Sequence, residues 1–254
     1  MDRPFSGKVA FVTGGSRGIG LATAREFARR GADVAISFFT NRTSAQTAQA
    51  SLREFGGRVE LLRGNVGNPE HVDLMFRHLE EKLGRLDFYV GNAAMGVLKP
   101  VEELTLAEWD RTMEVNVRSL FQAAQHTQRL VRRHGQGGRI VALSSMGSVR
   151  TIPDYAALGA AKAAIESLVR FLAVELARDG IVVNCVQAGM VDTDSLKRFP
   201  TREQLLADNI KRSPFGRLGT PEDIARVVAM MCLPEAAWIV GQTVVADGGY
   251  SING

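Results

Sequence analysis

The chain has 254 residues, 45% of them hydrophobic and 23% charged, with two cysteines and a formal charge of +4. That length suits one α/β domain and is tight for two, and ordinary apolar content with small net charge excludes a disordered chain. No apolar run approaches the roughly 20 residues of a membrane span. Cys185 and Cys232 form no CxxC pair, and Met1-Asp2-Arg3-Pro4-Phe5-Ser6-Gly7-Lys8 lacks an apolar export core. A reducing, cytoplasmic setting is therefore expected.

Taken in chain order, short apolar runs alternate with longer helical stretches. Strands are expected at Lys8–Val12, Asp33–Phe38, Arg58–Arg63, Asp87–Gly91, Gly138–Leu143, Ile181–Val186 and Thr243–Ala246. Helices are expected to begin near Gly18, Arg42, Pro69, Leu106, Tyr155 and Pro221. Runs such as Val9-Ala10-Phe11-Val12 are apolar at every position, as in strands buried on both faces. The alternation implies right-handed βαβ units and a single-domain, Rossmann-like, doubly wound parallel sheet. No repeat or linker divides residues 1–254. From Gly189 to Gly219 the alternation stops. That stretch, broken by Pro200 and Pro214, reads as a loop with a short helix, a substrate lid over 190–219.

After the first strand comes Thr13-Gly14-Gly15-Ser16-Arg17-Gly18-Ile19-Gly20, then a helical run from Leu21. Glycines there let the backbone turn sharply and set a helix N-terminus against a pyrophosphate. Gly14, Ser16, Arg17, Gly18, Ile19 and Gly20 are thus candidate cofactor contacts, although the spacing is GxxxGxG rather than GxGxxG. A carboxylate for a ribose 2′-hydroxyl should end the second strand. Asp33 opens that strand instead, and its end, Ser37-Phe38-Phe39-Thr40-Asn41-Arg42, carries none. Arg17 and Arg42 favour a 2′-phosphate, because guanidinium binds phosphate through forked hydrogen bonds. NADPH is the expected cofactor.

Further motifs follow: Asn92-Ala93-Ala94, Asn116, Ser144-Ser145, Tyr155 with Lys162, and Gly189 with Thr193. Together with the glycine loop they resemble the short-chain dehydrogenase/reductase superfamily, from Lys8 to Asp247-Gly248-Gly249. The resemblance implies Tyr155 as proton donor, with Lys162 lowering its pKa and holding the nicotinamide ribose. Ser145 would bind the substrate oxygen, and Asn116 would bend its helix and anchor a relay water. Cofactor contacts are implied at Asn65 and Val66 near adenine, at Asn92 and Ala93, and at Gly189, Val191 and Thr193. Tetramers through the long helices Leu106–Arg133 and Tyr155–Arg178 are implied as well.

One departure is informative. The usual pattern is Tyr-x3-Lys, but Leu158 stands four residues before Lys162 and the tyrosine stands seven before. At about 100° per residue both side chains share a helix face, with the axial separation growing from about 6 Å to about 10.5 Å. Ser145 keeps its usual distance, 17 before Lys162. Tyr-x6-Lys resembles the type III enoyl-acyl carrier protein reductases, as do the segments Asn92–Leu98, Asp192–Lys197 and Phe199–Glu203. Milder departures are Gly91 for an asparagine, Asn65 for an aspartate, and Gln187-Ala188-Gly189 where proline usually precedes the glycine.

The expected function is NADPH-dependent reduction of trans-2-enoyl thioesters on acyl carrier protein or coenzyme A, with a ketoreductase of the same family as the alternative and a non-catalytic NADPH-binding regulator as a remote one. His71, His78, His126 and His134 have no metal-ligand spacing, so no metal is expected, and they read as surface or capping residues. Trp109, Trp238 and Cys185 read as packing residues and Asp87 as structural. Lys197, Arg198, Arg202, Lys211 and Arg212 crowd the lid, as a solvated face or a dock for an acidic carrier or coenzyme A phosphate. Nothing indicates nucleic acid.

Overall fold

The computed structural model describes residues 3–194, 196 and 202–253. Seven strands and eight helices are found among them: β1 Val9–Val12, α1 Gly18–Arg29, β2 Asp33–Phe38, α2 Arg42–Arg53, β3 Val59–Arg63, α3 Pro69–Leu83, β4 Phe88–Gly91, α4 Leu106–Met113, α5 Ser119–His134, β5 Gly138–Ser145, α6 Ala156–Leu176, β6 Ile181–Ala188, α7 Arg202–Arg212, α8 Pro221–Met230 and β7 Thr243–Ala246. The strands form one parallel sheet in the order β3-β2-β1-β4-β5-β6-β7. This is the expected Rossmann-like architecture. The chain leaves β1 toward β2 and later returns to β4 on its other side, so a crevice opens beyond the carboxyl ends of β1 and β4.

Strand alternation builds the two cores. Val9 and Phe11 of β1 face the layer of α3, α5 and α6, whereas Ala10 and Val12 face α1 and α8. Both sets are buried, which is why the strand reads as continuously apolar. Asp87, just before β4, accepts from Val9 N at 2.9 Å and from Arg85 Nη2 at 2.6 Å. Its carboxylate is thus a buried, fully used brace. The helices begin where side chains can cap them. Asn68 caps α3 ahead of Pro69, and Thr105 and Glu108 form a capping box on α4.

Several boundaries differ from expectation. β5 and β6 each run two residues further than their apolar cores, to Ser145 and Ala188, because the ladder continues through Ser144↔Gln187 and Ser145↔Ala188. The expected helix from Leu106 to Arg133 contains a π-helical turn, Glu114–Arg118, centred on Asn116. α6 begins at Ala156, so Tyr155 is its N-cap and not a helical residue. Among the described residues no helix is long and apolar enough to cross a membrane.

Candidate active site

A cleft of about 810 Å³ opens above the sheet switch. Its floor is the first βα turn. Gly18 adopts φ +53°, and a Cβ on Gly20 would lie 2.4 Å from the Gly14 carbonyl oxygen, so both positions require glycine. Arg17 precedes α1 in extended conformation without a side-chain cap, which leaves first-turn N–H groups facing the cleft. Asn92 locks the turn by donating from Nδ2 to Thr13 O at 2.8 Å, while Thr13 Oγ1 accepts from the Asn92 and Ala93 amides at 3.0 Å each.

Of the expected cofactor residues, Gly14, Ser16, Arg17, Gly18, Ile19, Gly20, Asn65, Val66, Asn92, Ala93, Gly189, Val191 and Thr193 all border the cleft. Arg42 does not. It opens α2 as an exposed residue outside the cleft wall, and the wall there is formed by Phe38, Phe39, Thr40, Asn41 and Ser44. Arg42 follows Asn41, which caps α2 by accepting from Ser44 N, and both Asn41 and Ser44 border the cleft. Arg17 is the expected guanidinium that the structure leaves at the cleft. Asp33 binds Arg58 at the opposite end of β2, at 2.7 Å, so it offers no carboxylate to a ribose. His71, expected as a surface or capping residue, accepts from Asn65 N through Nδ1 at 3.2 Å and so steadies the Asn65–Val66 segment.

At the other end of the cleft stand Ser145, Tyr155 and Lys162. Ser145 Oγ lies 3.3 Å from the Tyr155 hydroxyl. Burial raises the Tyr155 pKa, with the Ser145 contact working against it. The Lys162 ammonium is buried and donates to the Leu143 carbonyl at 2.8 Å. Burial lowers its pKa to about 8. Desolvation is thus the largest influence on the Tyr155 phenol, and the Lys162 ammonium is anchored on β5. Asn116 is buried behind the cleft and does not border it. Its Nδ2 donates to Met95 O at 2.6 Å and Thr112 O at 2.7 Å, across the π-helical turn. Its Oδ1 is buried with no hydrogen-bond partner among the described residues.

Leu158, in the position where the family usually carries tyrosine, packs on Gly96: a Cβ there would lie 2.4 Å from Leu158 Cγ. Sequence reasoning missed Arg111 of α4, an exposed guanidinium in the cleft wall, and the apolar residues Met95, Ile152, Met190 and Leu196. No spacing rule could have joined them. Lys197 and Arg198 of the expected basic lid lie outside the described residues. Arg212 lies over the Tyr250 ring at 4.7 Å and donates to Asn253 O, so its charge is engaged by the chain's end. Burial raises both cysteine thiols to about 12, which suits inert core residues. Among the described residues no cluster of three or more His, Cys, Asp or Glu could hold a metal.

A family model described as enoyl-(acyl carrier protein) reductase matches residues 14–251. The chain belongs to that family, within the short-chain dehydrogenase/reductase superfamily. It is 41% identical over 247 residues to a 1-cyclohexenylcarbonyl-CoA reductase of Streptomyces collinus, covering 96% of this chain and 87% of that protein. It is 34% identical over 259 residues to a hydroxynaphthalene reductase-like protein of Metarhizium anisopliae, covering 97% and 96% respectively. A short-chain dehydrogenase of Burkholderia cenocepacia, solved in complex with NADP, superposes with a TM-score of 0.90 at 34% identity, covering 98% of this chain and 99% of the other. As a short-chain dehydrogenase/reductase, this protein is an oxidoreductase.

Proposed function

We propose that this reductase uses NADPH to reduce the C2–C3 double bond of a trans-2-enoyl thioester on acyl carrier protein or coenzyme A, in fatty acid or polyketide-type biosynthesis. The observation that carries the reading is the place of the phenol. Tyr155 stands at the head of α6, outside the helix, and apolar Leu158 fills the usual donor position on Gly96. In ketone reduction, hydride reaches the carbon that bears the oxygen, so the donor must sit close to the nicotinamide. In enoyl-thioester reduction, hydride reaches C3 while charge develops on the thioester oxygen two carbons further along. An outward donor suits the second reaction. The Streptomyces relative, named as a CoA-thioester reductase, points the same way.

The residues fit NADPH. The uncapped first-turn amides of α1 would hold the pyrophosphate, and Arg17 would hold a 2′-phosphate where no carboxylate stands. When bound, the cofactor supplies hydride from nicotinamide C4. Tyr155 then donates a hydrogen bond to the thioester oxygen as the enolate forms, held in direction by Ser145. Lys162 holds the nicotinamide ribose and supplies a positive charge. Asn116 Oδ1, the orphaned buried acceptor, binds a water. The proton at C2 comes from Tyr155 or from water.

Two outcomes follow for the cofactor and the lysine. Replacing Arg17 by leucine raises KM for NADPH about tenfold and leaves KM for NADH nearly unchanged, and Arg42→Leu, at a residue outside the cleft wall, has the smaller effect of the two. Steady-state kinetics with both cofactors decides this, and equal effects on the two would remove Arg17 from the 2′-phosphate site. Lys162 is a cation below pH about 8 and neutral above, and Tyr155, with its raised pKa, keeps its proton throughout that range. kcat/KM is therefore level through neutral pH and falls above pH about 8. A pH–rate profile still level at pH about 10, where an ordinary lysine only begins to titrate, contradicts it.

Exposed apolar residues Phe121 of α5 and Phe171 and Val174 of α6 lie on the helices expected to form a homotetramer, and their exposure supports that assembly. The hydroxynaphthalene reductase-like relative favours a second reading, a 3-ketoacyl or polyketide ketoreductase. Parallel turnover of crotonyl and acetoacetyl thioesters with NADPH separates the two: reduction of only the keto substrate would overturn the enoyl reading.

A further inference from the structure

We infer that Gln187 is a positioning residue for Tyr155: by tying Ser148 to Glu166 it holds the turn against which the phenol ring rests. The inference rests on the proposed role of Tyr155 as hydrogen-bond donor to the thioester oxygen.

A tyrosine four residues before Lys162 would lie inside α6, its place fixed by the helical ladder. Tyr155 is different. It is the N-cap, at φ −106° and ψ 10°, and it follows Asp154, the one non-glycine residue with positive φ among those described, at +61°. Its carbonyl accepts from Gly159 N at 2.7 Å. Its ring lies on the bare backbone of Gly147, where a Cβ would be 2.5 Å from Cε1. The ring thus rests on the turn Met146–Ser148, with Gly159 of α6 beside it. Tyr155 also borders a second cavity, of about 450 Å³, whose walls include Gly147, Ser148, Val149 and Gly159. A phenol with open volume on this side needs a firmly held turn to remain in one place.

That turn is anchored through polar side chains on three elements. Ser148 Oγ donates to the Ser145 carbonyl at 2.9 Å and accepts from Gln187 Nε2 at 2.8 Å. Gln187, on β6 and only 5% exposed, also reaches Glu166 Oε1 at 3.2 Å. Glu166, one helical turn beyond Lys162, accepts from Ser144 Oγ at 2.5 Å. The chain Glu166–Gln187–Ser148 therefore ties α6, β6 and the turn after β5 together beneath the serine and tyrosine hydroxyls. Gln187 borders neither cavity, so it acts through the turn and not on the reactants.

The test is a set of variants assayed with NADPH and a crotonyl thioester. Gln187→Leu keeps the volume and removes both hydrogen bonds, and Ser148→Ala removes the other end of the strut. Each is expected to lower kcat by about ten- to 100-fold, as misplacement by about 1 Å does, with the NADPH Kd within about twofold of wild type. In a Tyr155→Phe background, Gln187→Leu should lower the residual rate no further, because its effect passes through the phenol. A purely structural glutamine would lower the melting temperature and the rate in either background. If Gln187→Leu fails to fold, Ser148→Ala decides. Wild-type kcat in both variants, with Tyr155→Phe inactive, overturns the inference and leaves the Tyr155 reading standing. Activity in Tyr155→Phe itself overturns that reading instead.

Discussion

Replacing Tyr155 by phenylalanine lowers kcat by about 10²- to 10⁴-fold, the range expected when a positioned proton donor is removed. The change deletes one oxygen and keeps the ring, so its packing on Gly147 survives and NADPH binding, followed by fluorescence titration, stays near wild type. The prediction is sharp because no other donor can take over from the usual position. Leu158 there is apolar and fills the space over Gly96. Ser145, 3.3 Å from the lost hydroxyl, can still hydrogen-bond a substrate oxygen but is a far weaker acid than a phenol. A variant within threefold of wild type would remove Tyr155 from the chemistry.

Gly147→Ala is expected to cost about 100-fold in kcat, for a geometric reason. The added Cβ would sit 2.5 Å from Tyr155 Cε1 and 2.8 Å from Cδ1. These are atoms of a rigid, half-buried ring, so the phenol must move, and a displacement of about 1 Å at a reacting group costs about 10² in rate. The backbone itself accepts alanine, since Gly147 is outside the left-handed region. Loss of kcat with unchanged melting temperature and NADPH Kd is the expected pattern. Wild-type kcat would mean that the ring does not work from its place against Gly147.

Much of the fold was legible because its signals are local. Continuous apolar strands, a glycine-rich first turn and alternation of elements led to the parallel sheet and to the residues that border the cleft. What escaped depends on contacts between distant positions. Ser144 and Ser145 belong to β5 only because Gln187 and Ala188 pair with them, and a polar strand end carries no periodic pattern. The π-helical turn at Asn116 interrupts a stretch whose composition is helical throughout. Arg42 is near the end of β2 in sequence, yet the cleft wall there is formed by Phe38, Phe39, Thr40, Asn41 and Ser44.

Tyr155 was placed by counting helical residues, whereas α6 begins one residue later. Pro153-Asp154 was the available sign of that boundary, since proline-containing pairs mark turns more readily than helix interiors. Glu166 and Gln187 lie 21 residues apart and meet only when α6 packs on β6. The departure Gln187-Ala188-Gly189 was visible in the sequence; its partners were not.

The most direct measurement is product analysis after turnover of crotonyl and acetoacetyl thioesters with NADPH, each offered on coenzyme A and on acyl carrier protein. The account predicts a butyryl thioester from the crotonyl substrate, with kcat/KM at least about tenfold above that for the acetoacetyl substrate, a margin of about 1.4 kcal/mol in transition-state binding. A yield of 3-hydroxybutyryl thioester alone, with the crotonyl substrate untouched on either carrier, would contradict it.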